Sequence, residues 1–334
     1  MKIVVDDKIP YIQEKLRLLA DEVCPMRGAS IGANDVKDAD ALIVRTRTRC
    51  DETLLKDSKV RFVATATIGF DHIDTAYLER AGIAWTSCPG CNAASVAQYV
   101  ESSLLLLQQE KGLSLHEATI GIVGCGHVGS KVRMVAERLG MRVLVCDPLL
   151  GNPDFVPLSV IEQDADIITF HVPLTRQGTY ATWHLADDSF LHRLRKAPYL
   201  MNTSRGEVVD NTALLKAIQE GRIRDAVIDV WEGEPLLNED LLQHVFIGTP
   251  HIAGYSADGK ANADNMVIDA LCQHFGLPLP DRVRPPKLPA DFHYTGNPLE
   301  LYNPMRDSEA LKNNPSGFEE LRNNYPLRRE YFDV

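Results

Sequence analysis

Runs of hydrophobic residues alternate with polar breaks along most of the chain, and their lengths and periods predict a regular series of strands and helices. In the first 90 residues, short runs rich in Val, Ile and Ala are typical of buried strands, and they cover residues 2–6, 39–45, 60–66 and 83–87. Helical spacing of apolar residues covers residues 11–19 and 74–81. This alternation predicts a parallel sheet whose strands are joined by crossover helices.

A second and longer alternation follows. The stretch at residues 93–109 is apolar on nearly every side, as expected of a helix buried between layers or between subunits. Beyond it, strands are predicted at residues 119–123, 142–147, 167–170, 199–202, 226–229 and 246–248. Helices are predicted at residues 128–139, 158–163, 188–194, 212–220 and 257–275. The pattern therefore predicts an α/β fold with two doubly wound parallel sheets.

The end of the chain breaks this pattern. Residues 278–334 hold nine of the nineteen prolines and show no long apolar periodicity, apart from a candidate helix at residues 318–329. Such a composition is typical of a wrapped extension or a partly disordered tail. A chain of 334 residues has room for two domains and this extension.

The acidic charge balance narrows the candidate partners. The chain has 35 Lys and Arg against 46 Asp and Glu, a formal net charge of −11. A general nucleic-acid binder needs an excess of basic residues to neutralise phosphates, so this class is disfavoured. An anionic small-molecule substrate would have to be met by a local basic cluster.

The cysteines and the N-terminal residues indicate in which cellular compartment the protein acts. The seven cysteines are odd in number and several lie in apolar runs, which favours reduced thiols over a disulfide framework. Charge at Lys2, Asp6 and Asp7 comes too early for a signal peptide. The longest strongly apolar stretch, around residues 104–107, is far shorter than the roughly 18 residues of a membrane span. We therefore expect a cytoplasmic protein with no membrane partner.

The strongest motif is a glycine-rich turn that runs from a predicted strand into a predicted helix. Its glycines are Gly124, Gly126 and Gly129, in the pattern G-x-G-x-x-G. The first glycine allows a tight turn, the second lets a pyrophosphate approach the backbone, and the third lets the helix pack close to the strand. The helix N-terminus then faces the phosphates with free N–H groups. We predict a dinucleotide site here, with His127 and Val128 close to the pyrophosphate.

An acidic residue ends the next predicted strand. Asp147 follows Gly129 by eighteen residues, where a carboxylate can bind the ribose hydroxyls of NAD. The same carboxylate would repel the additional phosphate of NADP, and the next arginine along the chain is Arg176. NAD is therefore the predicted cofactor. The alternative is that the glycine turn serves only packing.

Three further segments each follow a predicted strand and carry candidate catalytic residues. Arg205 lies in the segment 202–206, Glu234 in Asp-Val-Trp-Glu-Gly-Glu-Pro at 229–235, and His251 in Thr-Pro-His-Ile-Ala-Gly at 249–254. Ligands of doubly wound sheets bind beyond the carboxyl ends of the strands. The three side chains could therefore converge at the nicotinamide end of the cofactor.

The types of these residues suit the oxidation of a 2-hydroxy acid, which requires hydride transfer from carbon and removal of the hydroxyl proton. His251 is the expected base, because a histidine pKa lies near neutral pH. Glu234 would orient the ring and stabilise the imidazolium, and Arg205 would clamp the substrate carboxylate through two parallel hydrogen bonds. The alternative is that each is an ordinary surface or packing residue.

Together these motifs resemble the D-isomer-specific 2-hydroxyacid dehydrogenases. Further segments resemble the member that oxidises 4-phosphoerythronate to the 2-oxo acid with NAD, in pyridoxal phosphate biosynthesis. They are residues 2–7, 64–72, 89–93, 169–174, 209–215 and 251–255. The resemblance covers about residues 1–275 and implies this reaction, with Arg205 and Glu234 as active-site residues and His251 as proton donor or acceptor.

The resemblance also implies ligand contacts and a domain arrangement. Contacts with NAD are implied for Asp147, Val172, Thr203, Ser204, Arg205, Asp229 and Gly254. Contacts with substrate are implied for Thr46, Thr67 and Tyr255. Residues 1–93 and 256–277 would form a flavodoxin-like substrate domain, and residues 94–255 an inserted NAD-binding Rossmann domain. The active site would lie in the cleft between them.

Two departures qualify the resemblance. Val172 stands where a threonine is common, so a backbone contact with NAD would survive and a hydroxyl contact would not. The family member continues into a larger C-terminal dimerisation domain, of which residues 278–334 would be a reduced form. A homodimer is expected, but its formation through this segment is left open.

A run of alternating arginines supports a phosphorylated substrate. Arg45, Arg47 and Arg49 follow a predicted strand, and alternate side chains of an extended segment share one face. A phosphorylated acid carries about three negative charges near neutral pH. We expect Arg45 to bind the phosphate, whereas Arg47 and Arg49 could equally be charges on a solvated strand edge.

One further sequence feature is assigned no chemical role. Cys88 and Cys91 have the spacing of a metal or redox pair, but no second pair follows, so no metal is predicted. Two alternative functions stay open. One is another D-2-hydroxyacid dehydrogenase, acting on 3-phosphoglycerate or on glyoxylate and hydroxypyruvate. The other is an NAD-sensing scaffold related to corepressors.

Overall fold

The computed structural model describes residues 1–288 and 290–330. The chain divides into two compact units. Unit 1 comprises Met1–Asn92 and Ser256–Ala290, and unit 2 comprises Ala93–Tyr255 and the chain from Asp291 onward. The chain therefore leaves unit 1 after Asn92 and returns to it at Ser256.

Unit 1 is built on a parallel sheet. Its strands are β1 (Lys2–Asp6), β2 (Glu22–Met26), β3 (Ala41–Val44), β4 (Phe62–Thr65) and β5 (Ala84–Thr86). Their order across the sheet is β2-β1-β3-β4-β5, and each neighbouring pair is parallel. The chain changes direction across the sheet between β1 and β3, which makes the carboxyl ends of these two strands a topological switch point.

The three central strands of unit 1, β1, β3 and β4, are buried because both faces of the sheet are covered. Ile3 and Val5 belong to one hydrophobic cluster, and Val4 belongs to another. Successive side chains of a strand point to opposite faces, so the two clusters lie on opposite sides of the sheet. The connecting helices are α1 (Gln13–Leu16), α2 (Ala33–Val36), α3 (Glu52–Leu55) and α4 (Thr75–Ala81).

Unit 2 contains a second parallel sheet. Its strands are β6 (Thr119–Val123), β7 (Arg142–Cys146), β8 (Ile167–Phe170), β9 (Tyr199–Asn202), β10 (Asp225–Ile228) and β11 (Ile247–Gly248). Their order is β11-β10-β9-β8-β6-β7, again with parallel pairing throughout. The switch point lies between β6 and β8, where ligands of doubly wound sheets bind.

Helices connect and cover the strands of unit 2. They are α5 (Ala93–Lys111), α6 (His127–Arg138), α7 (Leu158–Asp164), α8 (Asp188–Arg193), α9 (Asn211–Gln219) and α10 (Glu239–His244). The predicted all-round burial of the stretch after residue 93 is confirmed for most of α5, which packs against α6. Asp187, Asp210 and Asn238 cap α8, α9 and α10 by accepting from backbone N–H groups.

The remaining helices lie near the C-terminus. Helix α11 (Ala257–Phe275) belongs to unit 1 and packs against β4; Ser256 caps its start and Gly276 ends it in the left-handed conformation. Helices α12 (Pro298–Leu301), α13 (Pro304–Asn313) and α14 (Phe318–Asn323) belong to unit 2. Leu311 and Phe318 are buried in a core cluster of unit 2. The described part of the chain after residue 290 therefore contains three α-helices, two of which place a residue in this core.

The predicted fold class is confirmed, since both sheets are parallel and flanked by helices. Strand β2 is absent from the sequence prediction; it contains Pro25 and is only partly buried. It is an edge strand, where proline is tolerated and the apolar run that marks buried strands is not required. The short helices α2, α3, α10, α12 and α13 are also absent from the prediction, because their apolar periodicity covers only one to three turns.

Candidate active site

The predicted catalytic and cofactor residues of unit 2 follow the carboxyl ends of its strands. Gly124 follows β6, Asp147 follows β7, and Val172 follows β8. Arg205 follows β9, and the segments containing Glu234 and His251 follow β10 and β11. Because all these strands are parallel, their carboxyl ends lie along one edge of the sheet.

The glycine turn has the tight geometry that a phosphate cradle needs. Gly124 has a φ of +89°, and a Cβ there would lie 2.6 Å from the carbonyl oxygen of His171. A Cβ on Gly129 would lie 2.0 Å from the carbonyl oxygen of Gly124. A Cβ on Gly126, in contrast, would have none of the described atoms within 4 Å, so this glycine faces open space. The turn is therefore closed on the protein side and open where a ligand would approach.

Helix α6 begins directly at this opening. Its N-cap is Gly126, which offers no side-chain cap, so the first N–H groups of this 12-residue helix lack a capping side chain. His127 is the exposed first residue of the helix, and Val128 is half-buried. A helix start of this kind can hold a pyrophosphate through backbone N–H groups and the positive end of the helix dipole.

Asp147 is linked to the glycine turn. Its Oδ2 accepts a hydrogen bond of 2.8 Å from the backbone N–H of Cys125, and its Oδ1 accepts one of 3.2 Å from Leu149. The carboxylate is half-buried at the end of β7. Each oxygen has a second lone pair, so the group can still accept from ribose hydroxyls.

On the other side of the switch point, His171 anchors the neighbouring loop. Thr169 Oγ1 lies 2.9 Å from His171 Nε2, and Thr203 Oγ1 lies 3.3 Å from Nδ1. Burial lowers the pKa of His171 to about 3, so the ring is neutral and serves as a hydrogen-bonding strut. Val172 lies against the glycine turn, since a Cβ on Gly124 would meet its Cγ1 at 2.7 Å.

The loop that carries Arg205 is shaped by Asn202. The Oδ1 of this buried side chain accepts from the backbone and hydroxyl of Ser204, and its Nδ2 donates to the carbonyl of Arg205 at 2.9 Å. The next residue must be glycine, because a Cβ on Gly206 would lie 2.1 Å from the backbone of Trp231. The half-buried Arg205 donates to the carbonyl of Ser204 at 2.8 Å.

Asp229 fixes the loop that carries His251. Both of its oxygens are engaged: Thr249 Oγ1 donates at 2.6 Å, and the backbone N–H groups of Ile252 and Ala253 donate at 2.7 and 3.0 Å. Burial raises the pKa of Asp229, although these hydrogen bonds and the nearby His251 act in the opposite direction. The residue is 1% exposed, and its predicted contact with NAD stays a prediction.

His251 and Glu234 form a direct pair. The distance from His251 Nδ1 to Glu234 Oε1 is 2.5 Å, and both side chains are about one-quarter exposed. His251 has a φ of +57°, an uncommon value for a residue with a side chain. Burial alone would raise the pKa of Glu234, but the hydrogen bond and charge of His251 and the charge of Arg322 lower it below its usual value. Glu234 is therefore ionised near neutral pH.

This pairing orients the imidazole for proton transfer. An ionised carboxylate only accepts hydrogen bonds, so His251 Nδ1 must donate the proton of the pair. In the neutral ring Nε2 is then unprotonated, and it can take a proton from a bound hydroxyl group. The geometry brings together the two members of the predicted acid–base set.

The C-terminal segment contributes two arginines that the sequence motifs did not reveal. Arg322 Nη1, from α14, lies 3.8 Å from Glu234 Oε1. Arg328 is 8% exposed and donates to the carbonyls of Ile252 and Tyr255, each at 3.0 Å, and to Ser95 Oγ at 3.0 Å. No local motif marks these residues, because their partners are distant in sequence.

In unit 1, the predicted substrate residues follow two adjacent strands. Arg45 and the exposed Thr46 come directly after β3, and the half-buried Thr67 comes after β4. Arg45 Nη1 lies 3.4 Å from the carbonyl oxygen of Lys8, which places Arg45 at the switch point between β1 and β3. Thr67 Oγ1 donates to the carbonyl of Gly69 at 2.9 Å.

The alternating arginines do not lie on one extended segment, which corrects the expectation that they share a face. The chain turns at residues 46 and 47, so alternation does not place the three side chains together. Arg49 is paired with Asp51 at 2.8 Å, and the buried Thr48 donates to the carbonyl of Gly28. The position of Arg45 at the switch point is a separate observation, and its role stays a prediction.

Within residues 1–288 and 290–330, no cluster of three or more His, Cys, Asp or Glu side chains could hold a metal ion. Cys88 donates to the carbonyls of Thr65 and Ala263, and burial raises the pKa of its thiol. In the same part of the chain, none of the helices combines the length and apolar character needed to span a membrane.

Comparison with known proteins identifies the class. Residues 93–253 match the family model described as "D-isomer specific 2-hydroxyacid dehydrogenase, NAD binding domain". The D-lactate dehydrogenase of Aquifex aeolicus, whose crystal structure contains NAD and lactic acid, has a similar fold, with a TM-score of 0.68 and 25% identity. The similarity covers 83% of this chain and 96% of that one.

Two curated relatives match almost the whole chain. Both are named erythronate-4-phosphate dehydrogenase. The protein from Bacteroides fragilis is 55% identical and that from Bacteroides thetaiotaomicron 53% identical, each over 338 residues that cover 99% of this chain and 97% of the relative. The chain therefore belongs to the D-isomer-specific 2-hydroxyacid dehydrogenase family. It is an NAD-dependent dehydrogenase, as predicted.

Proposed function

We propose that this enzyme oxidises 4-phosphoerythronate to 3-hydroxy-2-oxo-4-phosphooxybutanoate with NAD, as a step of pyridoxal phosphate biosynthesis. The observation that carries the proposal is the 53–55% identity, over 99% of the chain, to relatives named for this substrate. The paired His251 and Glu234 supply the acid–base chemistry that the reaction needs.

The reaction removes a proton and a hydride from the same alcohol. His251 Nε2 takes the proton of the C2 hydroxyl group while the C2–H bond breaks and the C2–O bond becomes a carbonyl. NAD, when bound, accepts the hydride. Glu234 holds the ring by its hydrogen bond to Nδ1 and stabilises the imidazolium that forms. In the reverse direction the imidazolium returns the proton to the carbonyl oxygen.

Arg205 is assigned to the substrate carboxylate. Its guanidinium can form two parallel hydrogen bonds that fix the orientation of C2. Thr46, Thr67 and Tyr255 are the further substrate ligands, and Arg45 is assigned to the phosphate. The position of Arg45 beside the carbonyl of Lys8, at the switch point of the first sheet, supports this assignment.

The open side of the glycine turn supports the assignment of the NAD ligands. The backbone at Gly126 and the first turn of α6 would hold the pyrophosphate, and Asp147 would bind the ribose hydroxyls. The full proposed set is Gly124, Gly126, His127, Val128, Gly129, Asp147, Val172, Thr203, Ser204, Arg205, Asp229 and Gly254. We further propose a homodimer that acts in the cytoplasm, in keeping with the reduced thiols of the buried Cys50, Cys88 and Cys146.

A steady-state assay by NADH absorbance tests the substrate. The panel contains 4-phosphoerythronate, 3-phosphoglycerate and unphosphorylated erythronate, with a 2-oxo acid added in a parallel series in case tightly held NADH hides turnover. We expect kcat/KM for 4-phosphoerythronate to exceed that for 3-phosphoglycerate. Faster turnover of 3-phosphoglycerate would favour the other dehydrogenase activity. NAD binding without turnover of any acid would favour a sensing scaffold.

Substitution of His251 tests the assignment of the base. His251→Ala should reduce kcat by about 10²–10⁴-fold and leave the Kd of NAD nearly unchanged. His244→Ala, in the exposed last turn of α10, is the matched control and should retain full activity. Activity of the His251 variant at the level of this control would show that another group is the base.

A further inference from the structure

Arg322 brings a positive charge to the acid–base pair from the C-terminal segment. Its Nη1 lies 3.8 Å from Glu234 Oε1, the oxygen that also bonds His251 Nδ1. The side chain of Arg322 is 27% exposed and that of Glu234 is 23% exposed, so the ion pair is partly shielded from water. Partial burial strengthens such a pair relative to one on the open surface.

The position of the guanidinium is fixed by its surroundings. A hydrogen bond with Tyr255 is among the interactions that favour the charged form of Arg322. The ring of Tyr255 packs edge-on against Tyr325, with centroids 6.2 Å apart, and Tyr325 Oη donates to Asp307 at 3.0 Å. At the other end of α14, Phe318 is 1% exposed in the core of unit 2. The helix that presents Arg322 is thus anchored at both ends.

We propose that Arg322 is a positioning residue of the dehydrogenase, which holds Glu234 ionised and in place beneath His251 and ties the C-terminal segment to the acid–base pair. This proposal rests on the proposed roles of His251 and Glu234. Arg322 acts through these two side chains and is not itself a proton donor or acceptor, since a guanidinium stays protonated at all working pH values.

The expected consequence is a change in the pH profile. A positive charge at this distance favours the carboxylate of Glu234. Asp229 and Tyr255 are the other titratable groups near this cluster. Asp229 keeps its hydrogen bonds when Arg322 is replaced, whereas Tyr255 loses its bond with the guanidinium in both charge-removing variants. Loss of the arginine should therefore favour the protonated form of Glu234. A protonated Glu234 no longer orients and stabilises His251 as the base, so activity in the oxidation direction should fail at a higher pH.

The experiment measures kcat/KM for oxidation against pH in the wild type, Arg322→Gln and Arg322→Met. The acidic limb should move upward by about one pH unit in both variants, because an opposite charge within about 4–6 Å shifts a carboxyl pKa by that order. At pH values on the acidic side of the profile, a shift of one unit corresponds to about a tenfold loss of kcat/KM. On the alkaline plateau the loss of kcat/KM should be less than about threefold. Arg322→Met keeps the apolar stem of the side chain and guards against a folding defect in Arg322→Gln.

Controls separate this role from a structural one. Arg322→Lys keeps the charge and should return the limb to within about 0.3 pH units of the wild type. Arg306→Gln removes an exposed arginine from α13 and should leave the profile unchanged. In a Glu234→Gln background, removal of Arg322 should produce no further shift. A uniform loss of activity with an unmoved limb, or the same shift in the Glu234→Gln background, would overturn the proposal.

The experiments distinguish a failure of the role proposed for His251 from a failure of the role proposed for Arg322. If His251→Ala keeps wild-type activity, the proposed acid–base pair is wrong and the inference about Arg322 is wrong with it. If His251→Ala loses activity but the limb stays in place in both charge-removing variants, the acid–base pair stands and only the role of Arg322 is refuted.

Discussion

Arg328 should be a large contributor to the stability of unit 2. Its guanidinium lies within the loop that follows His251 and donates to the carbonyl oxygens of Ile252, Ala253 and Tyr255. It also lies over the ring of Tyr302, 3.9 Å from the centroid. With 8% exposure, little water is available to replace these contacts. In a methionine variant the carbonyl of Ile252 keeps the N–H of Tyr255 as a donor, and that of Ala253 keeps the hydroxyl of Ser95. The carbonyl of Tyr255 loses the donor that Arg328 supplies.

The expected loss follows from these contacts. An unsatisfied buried acceptor costs about 1–3 kcal/mol, and a desolvated cation–π contact adds about 2 kcal/mol. Removal of the buried charge recovers part of its desolvation cost. We therefore expect Arg328→Met to lower the free energy of unfolding by about 3 kcal/mol. For a unit of this size the loss corresponds to a fall in Tm of about 6–12 °C.

Thermal and urea unfolding, followed by circular dichroism, measure this change directly. Arg306→Gln, an exposed arginine of the same segment, is the control and should stay within about 0.5 kcal/mol of the wild type. Activity of the folded Arg328 variant should also decrease, because the loop that carries His251 loses its support. A variant within about 1 kcal/mol of the wild type would refute the reasoning that the loop at residues 252–255 depends on Arg328.

Two further predictions concern the cofactor and unit 1. Asp147→Asn should keep an oxygen that accepts from the N–H of Cys125 but lose the negative charge. The ratio of kcat/KM with NAD to kcat/KM with NADP should therefore fall by about tenfold or more. An unchanged ratio would show that Asp147 is not part of the ribose site. Asp264 is 1% exposed, its Oδ1 has no partner among the described atoms, and burial raises its pKa to about 7. This pKa lies above that of an aspartate in the unfolded chain. The protonated Asp264 therefore stabilises the fold fully below about pH 4, and this contribution is lost as the pH rises through 7. Relative to Asp264→Asn, the wild type should therefore lose up to about 4 kcal/mol of unfolding free energy between pH 4 and pH 8, and a difference that is constant with pH would contradict this.

Buried strands and long helices are predictable from the sequence because their patterns are local. Strands β1, β6, β8 and β9 have the predicted boundaries, since each is a short apolar run buried on both faces. Strand β2 escapes prediction because an edge strand needs no such run. The exposed start of its sequence, with Pro25 inside it, resembles a loop.

The candidate site is predictable where a strand end fixes the position of a motif. The glycine turn and the segments of Glu234 and His251 all follow strands, so the topology brings them to one edge. Arg322 and Arg328 cannot be found in this way. The carbonyls that Arg328 binds at 252 and 255 lie 76 and 73 residues away in the chain, and only the folded structure brings them together.

For the arginines at 45–49, the sequence predicts a shared face that the structure does not show. Their alternation predicts a shared face only if the segment is extended, but the chain turns directly after β3. The two-residue period of side chains holds only while the backbone stays extended. A composition of small polar and basic residues does not distinguish a strand end from a turn.

The central claim is that a hydride passes from C2 of 4-phosphoerythronate to NAD at the site containing His251. A single turnover with excess enzyme, NAD and 4-phosphoerythronate deuterated at C2, analysed by mass spectrometry, tests it directly. We expect one deuterium in the NADH and none in the 2-oxo acid, whose C2 is a carbonyl carbon. NADH without deuterium, or no conversion of the acid under these conditions, would contradict it.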